Sequence, residues 1–272
     1  MNKLFITGLL FVFLCDSCTF LNKESVKEIN NGKDRIEENQ DHLIMSVLWY
    51  QRSAEMQAAY YQAFNWAERI VIEKIETVDE KNPKAVILDI DETVLDNSSY
   101  EAQLIFEMEP YSSKSWKKWV SKSVSNPLPG ALKFTKLADS LGVEVFYISN
   151  RENVLLESTI DNLRKEGFPN SDKKHIFLRT DESSKKERWA KVSSNYDILL
   201  FIGDNLEDFS EIFESRDNVS EFIALKSLKN EFGSRFIILP NPMYGSWEKP
   251  FLGTDDNYEE KKEKLKQNLI LK

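Results

Sequence analysis

Cysteine is nearly missing from this chain: among 272 residues only Cys15 and Cys18 are cysteines, and both sit close to the start. No disulfide can therefore staple the rest of the chain, whatever its redox compartment. Long hydrophobic runs are missing too, because the uncharged, mostly apolar stretch Leu4 to Leu14 is shorter than the roughly 20 residues that a membrane-crossing helix needs. Positive charge is in deficit. A formal net charge of −9 argues against a protein that coats nucleic acid, since phosphate backbones attract basic faces. A site that handles phosphate on such a protein has to be positive locally. Internal repeats are absent, and 41% hydrophobic with 30% charged residues is a globular mixture with room for one substantial core and a small accessory part.

What the chain does have begins at its N-terminus. Lys3, the short apolar run and then Cys15-Asp16-Ser17-Cys18 describe a secretory signal. A cysteine directly after such a segment resembles a bacterial lipobox, in which the thiol is acylated and becomes the mature N-terminus. Cys18 follows small Ser17, whereas Cys15 follows bulky Leu14, so Cys18 is the favoured lipidation site and Cys15 the alternative. The expectation is a lipoprotein signal peptide over 1–17 and an exported, membrane-anchored lipoprotein of the cell envelope, on the outer membrane. Residues 18–40, rich in Lys, Glu and Asn, read as a flexible tether.

The body then alternates. Between Asp41 and Val78 apolar residues at Val47, Tyr50, Ala54, Ala58, Tyr61, Phe64, Ala67 and Val71 recur in steps that put them on one helical stripe. Short apolar runs without polar alternation follow at Ala85–Leu88, Val143–Ile148, Ile176–Leu178, Ile198–Ile202 and Phe236–Leu239, as strands buried on both faces require. Helical stretches separate them, one opened by Pro129-Gly130 and another, Asn153 to Lys165, ended by Gly167. Strands alternating with helices predict an α/β fold, a three-layer core around a central parallel sheet, with ligands beyond the carboxyl ends of the strands. Two segments fall outside the alternation, 41–80 and the aromatic-rich 97–126, and together they read as a small helical cap. The catalytic core is then 81–96 with 127–257, and 258–272 is an exposed helical tail.

The chemistry gathers at two strand ends. Asp89-Ile90-Asp91-Glu92-Thr93-Val94 leaves the first strand with two carboxylates one residue apart. A calcium loop counted from Asp89 would need glycine where Val94 stands. Gly203-Asp204-Asn205-Leu206-Glu207-Asp208 follows the run Ile198–Ile202, and a helical turn would bring Asp204 and Asp208 to one face. Four aspartates at two strand ends form a hard oxygen set that suits magnesium rather than zinc.

These residues resemble the haloacid-dehalogenase (HAD) superfamily, and within it the four-aspartate class C bacterial acid phosphatases. The likeness rests on Ile87 to Leu95 with Asn97 and Tyr100, and on Ile198-Leu199-Leu200 with Gly203 to Leu206 and Asp208-Phe209. Ser149-Asn150-Arg151, Ser183-Ser184-Lys185 and Pro240 to Trp247 extend it. The resemblance implies a HAD-like Rossmannoid core and a phosphomonoesterase in which Asp89 is the nucleophile and Asp91 the general acid and base. It implies Mg2+ held by Asp89, the backbone carbonyl of Asp91 and Asp204, with Asp208 behind them. Ser149 and Asn150 would hold phosphate oxygens, and Lys185 would meet the developing charge, with Lys186 as the alternative. The substrate class is a small phosphomonoester, a nucleoside 5'-monophosphate foremost, and Tyr100, Trp116 and Tyr244 are the candidates for an aromatic base pocket. The remaining partners expected are the membrane, through the lipid anchor, and a second copy in a homodimer. A binding lipoprotein on the same scaffold, and a phosphotransferase, remain the alternatives.

Overall fold

The computed structural model describes residues 39–77, 82–217, 219–253 and 257–272; the signal segment, Cys18 and most of the tether lie outside the described residues. Strand β1 (Lys84–Leu88) is apolar nearly throughout because both of its faces are covered. Val86 and Leu88 point into one core, Ala85 and Ile87 into the other. Two short strands, β2 (Leu95–Asp96) and β3 (Asn126–Pro127), pair antiparallel and clasp the ends of the insertion between them. The strands β4 (Glu144–Glu152), β5 (Ile176–Arg179), β6 (Asp197–Gly203) and β7 (Phe236–Ile238) join β1 in a five-stranded sheet of order β5-β4-β1-β6-β7. All its pairings are parallel. The chain leaves β1 at the middle of this sheet, between β4 and β6, where a doubly wound fold opens its crevice.

The segment 41–80 holds two helices rather than one: α1 (Ile44–Arg52) and α2 (Ala54–Thr77). Ser53 between them is extended, with φ −83° and ψ 140°, and its hydroxyl accepts from the Met56 amide at 3.1 Å, so it caps α2. The break shifts the phase of the buried stripe. Met56, Tyr60, Phe64, Ala67 and Val71 are buried, whereas Ala54, Ala58 and Tyr61, expected on that stripe, are exposed.

The insertion carries α3 (Ser98–Glu107) and α4 (Ser113–Val120), and the remaining helices are α5 (Ala131–Ser140), α6 (Leu156–Glu166), α7 (Lys186–Ser193), α8 (Ser220–Ser227) and α9 (Tyr258–Gln267). α1 packs against α3, while α2 lies against α5, β6 and β7. Phe64 of α2 and Phe134 of α5 meet with ring centroids 5.7 Å apart. Their close approach requires glycine at Gly130, where φ is +87° and a Cβ would stand 2.9 Å from that of Phe64. Gln40, which the sequence places in the tether, is buried at the entrance to α1 and lines the cleft described below. No helix of the described residues is long and apolar enough to cross a membrane.

Candidate active site

Asp89 is the first residue beyond β1, and its amide donates to the Ile202 carbonyl at 2.9 Å, which fixes the start of the loop to the neighbouring strand β6. The loop then turns sharply at Glu92, a non-glycine residue with φ +52°. That left-handed turn is held by the residue's own groups. Its carbonyl accepts from Tyr60, one carboxyl oxygen accepts from the Asn97 amide at 2.7 Å, and the other from the Tyr244 hydroxyl. Burial, reinforced by the nearby charges of Asp91 and Asp204, holds this carboxyl well above the ordinary range.

Across the crevice, β6 ends in Gly203 and delivers Asp204 and Asp208. A Cβ on Gly203 would lie 2.3 Å from an Asp208 carboxylate oxygen, so only glycine lets Asp208 fold back under the strand end. There Asp208 accepts from the Asn205 amide at 2.9 Å and from Lys185. Lys185 lies buried between two carboxylates, with Nζ 2.5 Å from Asp89 Oδ1 and 2.7 Å from Asp208 Oδ1, and donates also to the Ile148 carbonyl at 2.8 Å. The two carboxylates hold its proton more tightly than burial loosens it, so Lys185 stays cationic. Lys186 points elsewhere, to Glu211 at 2.5 Å on the surface.

Carboxylate oxygens of Asp89, Asp204 and Asp208 lie within 4.8 Å of one another, a spacing that one small cation can bridge. Asp204 is held by the hydroxyl of Thr93 at 3.1 Å and the amide of Asn241 at 2.9 Å. Removal from water, then the charges of Asp208 and Asp89, raise its proton affinity well above the usual carboxylate range. A divalent cation would relieve that repulsion, and the oxygen-only donor set fits a hard one.

The Asp91 carboxylate belongs to a different network. Arg151 grips it as a fork, Nη2 at 2.7 Å and Nε at 3.0 Å from Oδ1, while Asn97 donates at 2.8 Å and Ser149 at 3.2 Å. Arg151 also lies over the Trp116 ring, 5.8 Å from its centroid. Behind it Arg188 binds the Ser149 carbonyl at 2.6 Å and Asn150 Oδ1 at 2.7 Å, so the end of β4 is fixed from both sides. Reading residues by motif left Arg151 without a role and missed Glu92 and Asn241. Arg151 directly follows Ser149-Asn150, and its place beside those two candidates at the end of a strand was the available signal.

Asp89, Asp91, Ser149, Asn150, Arg151, Lys185, Asp204 and Asp208 line one cleft of about 740 Å³ that continues past Trp116, Tyr244, Leu43, Leu104, Leu252, Glu101 and Glu248. Tyr100 is not among its walls. It is buried within the insertion, its hydroxyl 2.9 Å from that of Ser115 and its ring packed edge-on to Trp116, because its place on α3 points it between α3 and α4. Of the three aromatic candidates, the cleft therefore includes Trp116 and Tyr244.

A cation-ready carboxylate cluster with a buried lysine, set at the carboxyl edge of a doubly wound sheet, defines an α/β protein equipped for phosphoryl-type anions. The family described as HAD superfamily, subfamily IIIB (Acid phosphatase) matches residues 15–247, and the chain belongs to it. The class C acid phosphatase from Bacillus anthracis superposes with a TM-score of 0.80 at 38% identity, covering 85% of this chain and 98% of that one; a second structure of that protein, with tungstate bound, gives the same values. Acid phosphatase 1 from Solanum lycopersicum is 27% identical over 158 residues, 58% of this chain and 57% of its own. Vegetative storage protein 2 from Arabidopsis thaliana is 27% identical over 222 residues, 79% of this chain and 71% of its own. The chain thus spans little more than half of the tomato relative.

Proposed function

We propose that this protein is a magnesium-dependent acid phosphatase that hydrolyses small phosphomonoesters, nucleoside 5'-monophosphates among them, through an aspartyl-phosphate on Asp89. The observation that carries the reading is Lys185, buried between Asp89 and Asp208 at the edge of a carboxylate cluster in a cleft. A buried cation there both positions the nucleophile and meets charge that develops on phosphate oxygens. The Bacillus anthracis relative supports it, since its structure holds tungstate, a tetrahedral oxyanion like phosphate.

In this reading one oxygen of Asp89 stays on Lys185 and the other attacks phosphorus. The bond from phosphorus to the leaving oxygen breaks, and Asp91, which enters this step carrying a proton, passes it to the departing alkoxide. Water then attacks the aspartyl-phosphate, Asp91 takes its proton, and inorganic phosphate leaves with Asp89 restored. Arg151 and Asn97 aim the Asp91 carboxylate at that exchange. Ser149 and Asn150 are the hydroxyl and amide at hand for phosphate oxygens. Mg2+ held by Asp89, Asp204 and the Asp91 carbonyl, with Asp208 behind, would offset repulsion between carboxylate and phosphate dianion. The insertion 97–126, together with Gln40, His42 and Leu43 just before α1, walls the far part of the cleft and serves as the substrate-selecting cap. Acylation at Cys18 would hold the enzyme at the cell envelope.

The test is release of inorganic phosphate from a panel of nucleotides and p-nitrophenyl phosphate, with and without EDTA. Activity should require Mg2+ and fall by roughly a thousandfold or more in Asp89→Asn. Turnover that persists in EDTA or survives the substitution would refute the mechanism.

A further inference from the structure

The far part of the cleft contains a carboxyl group with nothing to hold it. Glu101, on α3, is 7% exposed and faces the same space as Leu104, one turn further along that helix. Among the described residues no hydrogen-bond donor reaches its carboxylate. The nearest charge acting on it is of its own sign, Glu248. Glu248 is already engaged, accepting from the Gly245 amide at 2.9 Å and lying in the field of Lys261. Lys249, a further cleft lysine, is turned to Glu207 at 3.1 Å. Its oxygens open onto the cleft and find no donor on the protein, and that position in a substrate-sized space points to a donor that arrives with the ligand.

We infer that Glu101 is a specificity residue that accepts a hydrogen bond from an amino group on the leaving group of the phosphate ester. This rests on the reading of the cleft as a phosphomonoesterase site and adds what that site selects. The walls around Glu101, Leu43, Leu104, Trp116 and Leu252, are apolar or aromatic and suit a flat heterocycle. An exocyclic amine on such a ring offers N–H to the carboxylate, whereas a ring with only C–H at the same place offers it no hydrogen bond. Burial and Glu248 push the Glu101 carboxyl up to about 7, so the discrimination is strongest on the alkaline side of that value, where Glu101 is ionised.

Adenosine 5'-monophosphate and the 5'-monophosphate of unsubstituted purine riboside, which has C–H where adenine has the amine, differ in this one group and are the matched probes. The ratio of their kcat/KM values, measured on the alkaline side of pH 7, should be about tenfold or more in favour of the amine for the wild type. It should collapse toward one in Glu101→Leu and shrink in Glu101→Gln, whose neutral amide is a weaker acceptor than the carboxylate. The isosteric Gln variant decides the matter if the Leu variant does not fold, and a ratio of matched substrates is insensitive to a purely structural loss. A wild-type ratio near one, or a ratio that Glu101→Gln leaves in place, overturns the inference. Failure of the parent reading is separate: the wild type would then release no phosphate from p-nitrophenyl phosphate either.

Discussion

At the scale of single residues, the geometry of the Asp89 loop depends on Glu92, which has no part in the chemistry. Its carboxyl satisfies the buried Asn97 amide and the hydroxyl of half-buried Tyr244. Glu92→Ala removes both acceptors at once and should lower stability by about 2–4 kcal/mol. Urea denaturation would register this as a lower midpoint at unchanged slope. Glu92→Gln should cost distinctly less, because its carbonyl can still serve Asn97 and the Tyr244 hydroxyl can rotate. Equal losses would mean that the two hydrogen bonds are not what the residue contributes. This residue also marks where local reading of the sequence stops. Asp89, Asp91, Asp204 and Asp208 stand directly after apolar runs, so their convergence follows from the parallel sheet alone. Glu92 acquires its function from Tyr244, 152 positions away, and Arg151 acquires its own from Asp91, 60 positions away. No spacing within a motif encodes such partners.

Among the elements, the strands were legible because double-sided burial leaves a continuous apolar run. The helices before them were less so. Periodicity cannot register the bond from the Met56 amide to the Ser53 hydroxyl, yet that bond ends α1, starts α2 and rotates the buried stripe. A second junction carries a pH dependence. Glu101 on α3 meets Glu248 in the short turn Ser246–Glu248, and burial first raises each carboxyl from 4.5 to about 7. Between those values the folded protein binds more protons than the unfolded chain. Stability from this pair is therefore complete below the unfolded value and lost as pH rises through the folded one. Comparing about pH 5 with about pH 8, Glu101→Gln should lessen the wild-type loss of stability by about 1–2 kcal/mol, allowing for solvent screening. Denaturant titrations of both proteins at both pH values would measure it. The comparison between proteins matters because other buried carboxyls titrate in both. Parallel curves for wild type and variant would exclude Glu101 as a source of the dependence.

For the molecule as a whole, the cleft is assembled from stretches that are remote in sequence, Gln40 to Leu43, Glu101 to Trp116, and Met243 to Leu252. The general place of the site could be read from strand ends, and Trp116 and Tyr244 among its walls from their aromatic character, but Leu43, Glu101, Leu104 and Leu252 could not. Charge is the other global constraint. A chain of net −9 concentrates three carboxylates within 4.8 Å, and Lys185 neutralises only part of that cluster. The folded state should therefore gain from a divalent cation that the unfolded chain cannot bind in this arrangement. With Mg2+ at about a hundredfold excess over its dissociation constant the gain is about 2.7 kcal/mol, or a rise in Tm on the order of 5–10 °C for a protein of this size. Calorimetry in EDTA and in Mg2+ would give the difference directly. Asp204→Asn should abolish most of that rise while leaving the EDTA melting temperature equal or higher, since it removes one of three mutually repelling charges. A full Mg2+ effect in Asp204→Asn would place the ion outside this cluster, and a lower melting temperature in EDTA would show that Thr93 and Asn241 hold Asp204 for the fold rather than for the cation.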